Sequence, residues 1–278
     1  MTAAQDQSLA ELNDCVRTMW KIRAEGTQQG LHMESIEELI ESYLEALGCV
    51  AANPTSAGSR RKASEWRASG QLAIEIQEPP LIFRGGQSAV LPGVFRPTKR
   101  WDIVIRDGEF LVAAIEVKSQ EAKEIGNNIN NRIEESLGSA FDLKTALDDG
   151  LIPRRKKQRA AAGEGERWDP WIGYLFVLED TGNDGEYDVH KPVALDSSLF
   201  PVGAAFTGNP SYADRYKLLC ERLVKRKVYS ETCFLMSSKE DGALVSQPCT
   251  SATFQGFVDS LTNHVKAYLA DKQLPAAH

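Results

Sequence analysis

The sequence has 278 residues, 42% of them hydrophobic and 26% charged, which excludes wholesale disorder and leaves enough apolar material for a sizeable core. A formal net charge of -7 excludes a protein held to nucleic acid by bulk positive charge, but not one that gathers its basic residues on one face. No apolar run approaches the ~20 residues of a membrane helix, and the N-terminus lacks the basic-then-apolar order of a signal peptide, so the chain reads as cytoplasmic.

Apolar spacing at Leu9, Leu12, Val16, Met19 and Trp20 predicts a helix over residues 8–23, with Gly26 as its stop. A second helix over 33–47 turns Ile36, Leu39, Ile40, Tyr43, Leu44 and Leu47 inward and ends at Gly48. Residues 53–69 are polar, basic and rich in turn formers, and read as a loop. Strand alternation follows at 71–77, with Leu72, Ile74 and Ile76 on one face, and again at 101–105 and 110–117. Helical spacing returns over 127–147 through Ile133, Leu137, Ala140, Phe141, Leu143 and Leu147. A basic connection over about 152–167 leads to a buried strand at 171–178, a helix at 212–227, a strand at 233–236 and a final helix at 254–269. This order predicts one mixed α/β domain over 1–278, with the N-terminal helices (about 8–48) and the basic connection elaborating a central mixed sheet flanked by helices.

The central segment runs from Arg100 through Asp102 to Gln120 and is strongly apolar until it reaches Glu116 and Lys118. Residues two apart on a strand share a face, so these charges sit together while Val117 turns the other way. Asp102 joins them only if the hairpin has the right parity, because one residue more or less in the connection moves it to the opposite face. A two-residue Asp107-Gly108 turn fails that condition. A three-residue loop, Arg106-Asp107-Gly108 with a left-handed glycine, satisfies it by pairing Asp102 with Val112, and that loop is the expectation. Asp102, Glu116 and the Val117 carbonyl then form an oxygen donor set for a divalent metal, with Lys118 orienting or helping to deprotonate an attacking water. The same Glu-x-Lys spacing also occurs on salt-bridged strand surfaces, which keeps a non-catalytic DNA-binding module open.

The following segment places Asn127, Asn128, Asn130, Asn131 and Arg132 at a helix entrance. Asparagine bonds adenine, arginine bonds guanine, and both contact phosphates, whereas a single asparagine there would read as a cap. Further basic residues cluster at Arg60, Arg61 and Lys62, at Lys99 and Arg100, and from Arg154 and Arg155 to Arg159. The last run reads as a phosphate-contacting or solvated loop. Among the acids of the second helix, Glu38 is taken as the auxiliary acid of the metal site. His32, His190 and His264 lack partners at metal spacing and receive no catalytic role. The cysteines at 15, 49, 220, 233 and 249 form no CxxC pair and read as reduced thiols.

The stretches Leu91-Pro-Gly-Val-Phe-Arg-Pro-Thr-Lys-Arg-Trp-Asp102, Ala114-Ile-Glu-Val-Lys-Ser-Gln120 and Gly126-Asn-Asn-Ile-Asn-Asn-Arg-Ile-Glu-Glu135 closely resemble XhoI-type type II restriction endonucleases. So do Trp171-Ile-Gly-Tyr-Leu-Phe-Val-Leu-Glu-Asp180 and Ser211-Tyr-Ala-Asp-Arg-Tyr216. The resemblance implies a PD-(D/E)xK core with Asp102, Glu116 and Lys118 as its catalytic residues. It also implies dependence on Mg2+, with Mn2+ able to substitute, a homodimer, and double-stranded DNA cut at a palindrome such as CTCGAG to leave 5′-phosphate ends. A cognate methyltransferase would act on the same site. Trp101 stands where the superfamily label has proline. A repair or transposon-end nuclease on the same core is the alternative within this class.

Overall fold

A computed structural model describes residues 3–26, 31–52, 78–85, 89–158, 166–182, 187–194, 206, 208–240 and 244–273. The expected loop at 53–69 and strand at 71–77, with Arg60, Arg61, Lys62 and Arg159, lie outside these residues. Helix α1 spans Ala3–Ala24 and α2 spans Glu34–Glu45. Short strands β1 (Val50–Ala51), β2 (Leu81–Arg84), β3 (Val90–Leu91) and β4 (Lys99–Arg100) precede the long β5 (Ile103–Asp107) and β6 (Phe110–Gln120). Helix α3 (Ile125–Asp148), β7 (Trp171–Glu179), α4 (Tyr212–Lys225), β8 (Glu231–Ser237) and α5 (Phe254–Lys272) complete the order.

The six-stranded sheet has the order β1-β2-β5-β6-β7-β8. It is mixed: β5 runs antiparallel to β2 and β6, while β6, β7 and β8 are mutually parallel. Parallel neighbours need crossovers, which α3 and α4 supply on one face. Those two helices bury Ala140, Leu143, Tyr216 and Leu223 against Ala114, Tyr174, Phe176 and Phe234. The other face is covered by α1, α2 and α5, which bring Val16, Ile36, Ile40, Phe257 and Leu261 onto Ile103, Ile115, Val117 and Leu175. Burial on both faces explains why β6 and β7 read as near-continuous apolar runs rather than as alternating strands.

The hairpin that carries Asp102 differs from the expected three-residue loop. Asp107 pairs with Phe110, so the turn is Gly108-Glu109, with Gly108 at φ 60°. A positive φ at the first central position is what a two-residue hairpin turn asks of glycine. The extra residue needed for parity sits in the strand instead. Arg106 pairs with Leu111 but Ile105 pairs with Ala113, leaving Val112 as a β-bulge. The Asp102 amide donates to the Ile115 carbonyl at 3.1 Å, one step beyond the Ile103–Ile115 pair, so Asp102 lies beside Glu116 and not opposite Val112.

A second correction concerns α3. Leu137 and Phe141, read as inward-facing from their spacing, are 42% and 63% exposed, while Ala140, Leu143 and Leu147 on the adjacent stripe are buried. Periodicity reports a face, but not which neighbouring stripe carries it.

Candidate active site

β6 delivers Glu116 and Lys118 from the centre of the sheet, and the bulged hairpin delivers Asp102 beside them. The Asp102 Oδ2 accepts from the Val117 amide at 2.6 Å and lies 3.4 Å from the Lys118 ammonium. Lys118 Nζ is 2.5 Å from Glu116 Oε1 and 3.3 Å from the Val117 carbonyl, so both carboxylates, the carbonyl and the ammonium converge. The backbone of Asp102 is clamped as well, since its carbonyl accepts from Gly85 at 3.0 Å. Glu116 is buried, whereas the Asp102 and Lys118 side chains keep 26% and 25% exposure, so the cluster opens to solvent from the Asp102 side.

Lys99, expected among the DNA-binding residues, is drawn into the carboxylate cluster. Its ammonium pairs with Glu116 Oε2 and lies 4.9 Å from the Trp101 ring centroid, which makes it part of the carboxylate cluster. Burial works against the Glu116 charge, but Lys118 and Lys99 together hold its carboxyl below the usual range. Burial pushes Asp102 up, opposed by Lys118 and reinforced by Glu116. Burial likewise pulls Lys118 down, but Glu116 and Asp102 outweigh it and keep the group an ammonium.

The helix acid turned toward this cluster is Glu37. It is buried on α2, and burial followed by the nearby Asp102 charge pushes its carboxyl up to about 8. Glu38, the acid expected from sequence, is 45% exposed and pairs with Arg84 at 3.3 Å. The i,i+4 register of α2 explains the difference: Glu37 and Glu41 share the buried face, and Glu41 also meets Arg84, at 2.5 Å. His32 contributes a second unforeseen contact. Its Nε2 lies 3.2 Å from Ser119 Oγ, and burial, then Arg23, then Lys118 hold it below its ordinary value. Neither contact has a sequence signal, because both depend on how α2 and the turn before it dock on β6.

The asparagines occupy the first turns of α3, which begins at Ile125, so they are interior helical residues and not caps. Asn127, Asn130 and Asn131 are exposed, while Ile125 and Ile129 anchor the other side. Asn130 Oδ1 accepts from Arg215 of α4 at 2.8 Å, and Arg132 pairs with Glu135 at 2.7 Å. Arg100 is exposed on β4. Arg154 bridges Asp148 and Asp169 at 2.7 and 3.1 Å, and Arg155 meets the buried Asp271 at 2.9 Å, so both are engaged in tying the basic connection to α3 and α5.

The donors around Lys118 are all oxygens: two carboxylates and one backbone carbonyl. Such a set fits a hard divalent cation and not a thiophilic one. Among the described residues no cluster of three or more His, Cys, Asp or Glu side chains stands ready for a metal. No helix among the described residues is long and apolar enough to cross a membrane.

A family model described as restriction endonuclease XhoI matches residues 76–247. The chain is 39% identical over 182 residues to the type II restriction enzyme BstVI of Geobacillus stearothermophilus, covering 63% of this chain and 73% of that one. It is 37% identical over 150 residues to the type II restriction enzyme XhoI of Xanthomonas vasicola, covering 54% of this chain and 53% of that one. It is 40% identical over 153 residues to the type II restriction enzyme AbrI of Azospirillum brasilense, covering 54% of this chain and 61% of that one. The chain thus spans just over half the length of XhoI and about three fifths of AbrI. No solved structure matches it significantly.

Proposed function

The chain belongs to the restriction endonuclease XhoI family, and from that premise we propose that it hydrolyses both strands of duplex DNA at a short palindrome, CTCGAG or a related sequence, leaving 5′-phosphate ends. The observation that carries this reading is the convergence of Asp102, Glu116, Lys118 and the Val117 carbonyl within bonding distance of one ammonium. Asp102, Glu116 and the Val117 carbonyl would hold Mg2+, with Mn2+ able to substitute. The bound ion supplies charge neutralisation at the scissile phosphate and acidifies a water.

Every other role falls to the chain itself. Lys118, kept as an ammonium by its two carboxylates, donates to the attacking water or to a non-bridging oxygen and stabilises charge as the water oxygen bonds phosphorus and the 3′ oxygen leaves. Lys99 holds Glu116 ionised and in place. Glu37, not Glu38, is the auxiliary acid, because a carboxyl pushed up to about 8 near Asp102 exchanges its proton close to neutral pH, and its anionic form can accept the proton the water gives up. Asn127, Asn128, Asn130, Asn131 and Arg132 form the DNA-facing edge, with Arg100 on the phosphates. Asparagine inside a helix is disfavoured by ~0.5 kcal/mol each relative to alanine, so four of them within five residues, three exposed and Asn128 half-buried, are better explained by a ligand than by folding. A palindrome read by one chain type calls for a two-fold dimer, and a partner methyltransferase would protect the same site.

The test is digestion of mixed-sequence duplex DNA with Mg2+, Mn2+ or chelator by wild type and Glu116→Gln, with the termini sequenced. Metal-dependent fragments with uniform ends, absent from the variant, are expected. Fragmentation that persists in the variant or in chelator would remove this site from the reaction.

A further inference from the structure

The described residues include eight exposed large hydrophobics, and four of them, Val94, Phe95, Leu137 and Phe141, form one patch. Phe95 and Phe141 stack on each other in the open, with centroids 5.9 Å apart and planes within 10°, at 66% and 63% exposure. The patch is fixed in place. The buried Asp142 carboxylate accepts from the Val94 and Phe95 amides at 2.7 and 2.9 Å and meets Arg96 at 3.4 Å, stapling the loop between β3 and β4 onto α3. Gly93 makes that possible, since a Cβ there would lie 2.2 Å from the Asp142 carboxylate.

Between Leu137 and Phe141 the same exposed stripe carries Gly138, where an added Cβ would meet nothing within 4 Å. Glycine in an exposed helix interior costs about 1 kcal/mol against alanine, and nothing among the described residues requires it. It does permit another backbone to approach. The charges are arranged antisymmetrically about this point. Exposed Glu134 and Glu135, the latter paired with Arg132 at 2.7 Å, lie one turn before Gly138, and Arg96, 46% exposed, reaches α3 one turn after it, beside Ser139 and Asp142.

We infer that this face is the two-fold interface between two copies of the chain, with α3 crossing its symmetry mate antiparallel at Gly138. Crossing in that sense sets the Phe95–Phe141 pair of each copy on the Leu137–Gly138 surface of the other. It also sets Arg96 of each copy against Glu134 and Glu135 of the other, an apolar centre with a charged rim. Asn130 lies eight residues before Gly138, so the two Asn130 side chains stand about 24 Å apart along the helix direction, close to the ~20 Å occupied by six base pairs. The choice of a second copy as occupant rests on the palindrome-cutting reading, and the charge antisymmetry supports it independently.

The experiment is sedimentation of the full chain at micromolar concentration for wild type, Phe141→Glu and Leu137→Glu, with thermal melts to show that each folds, together with mild oxidation of Gly138→Cys. A wild-type dimer, a dimer dissociation constant raised about 100-fold or more in either glutamate variant, and a disulfide-linked dimer from Gly138→Cys are the expected results. A folded Phe141→Glu protein that remains fully dimeric, or a wild type that stays monomeric with and without duplex DNA, overturns the interface. A dimer that the glutamates dissociate but that cleaves no DNA supports the interface while removing the nuclease reading, so the two failures are distinct.

Discussion

Asp102, Glu116, Lys118 and Lys99 carry no net charge together, yet their environments hold them in different balances. Glu116 is kept ionised by two ammoniums, and Asp102 is pushed the other way by burial. Glu37 goes further, and its pH dependence follows from the sign of the shift. Its folded carboxyl binds a proton up to about pH 8, well above the ordinary 4.5. Stability from this group is therefore fully present below pH 4.5 and is lost as pH rises through 8. Replacing it with glutamine removes that loss. In metal-free protein, Glu37→Gln is expected to melt no differently from wild type near pH 4 but higher at pH 8.5, by about 3 °C or more, the equivalent of ~1 kcal/mol in a chain of this size. A constant offset across that range would mean that Glu37 titrates normally. The Glu-x-Lys pair was legible because a strand repeats every two residues. The choice of Glu37 over Glu38 was not, since both lie on an acid-rich helix and only the docking of α2 separates them.

At the scale of elements, the parity argument correctly required one extra residue between Asp102 and Glu116, but put it in the turn. A loop residue and a strand bulge satisfy parity equally, and only the sheet distinguishes them. On α5, His264 lies near the bulged Val112 backbone and packs edge-on against Trp168. Burial, outweighing the nearby Val112 backbone, lowers the His264 ring to about 4. A folded value below the unfolded 6.5 gives stability that is present above pH 6.5 and lost as pH falls toward 4. His264→Gln is expected to flatten the melting temperature over that window, and an unchanged acid slope would show that the ring is already solvated. Helix α3 gives an opposite pair of effects. Asn131→Ala should leave the melting temperature equal to wild type or slightly higher, because alanine is the better helix former. It should also weaken specific DNA binding about 10-fold, the scale of one base contact. Equal DNA affinity in the variant would return these asparagines to the solvated surface.

For the whole molecule, a net charge of -7 means that affinity for DNA has to come from one edge and not from the total. Titration of a site-free duplex is expected to show weak binding near 150 mM salt that strengthens steeply as salt falls, because the contacts are to phosphates. Salt-independent binding would point to a different surface. The layered α/β plan was legible from buried apolar runs alternating with helices. The exposed α3 face was not, because Leu137 and Phe141 follow helical spacing as a core stripe does, and exposure is settled only by whether something covers the helix. In the proposed reaction Asp102, Glu116 and Lys118 cleave DNA at a palindrome. The most direct measurement is digestion of a plasmid carrying one CTCGAG site, with and without Mg2+, by wild type and Lys118→Ala. A single Mg2+-dependent cut at that site is expected, reduced by at least about 100-fold in the variant, the scale of losing one preorganised donor to transition-state charge. An intact plasmid with wild type under every metal, or equal cutting by Lys118→Ala, would contradict it.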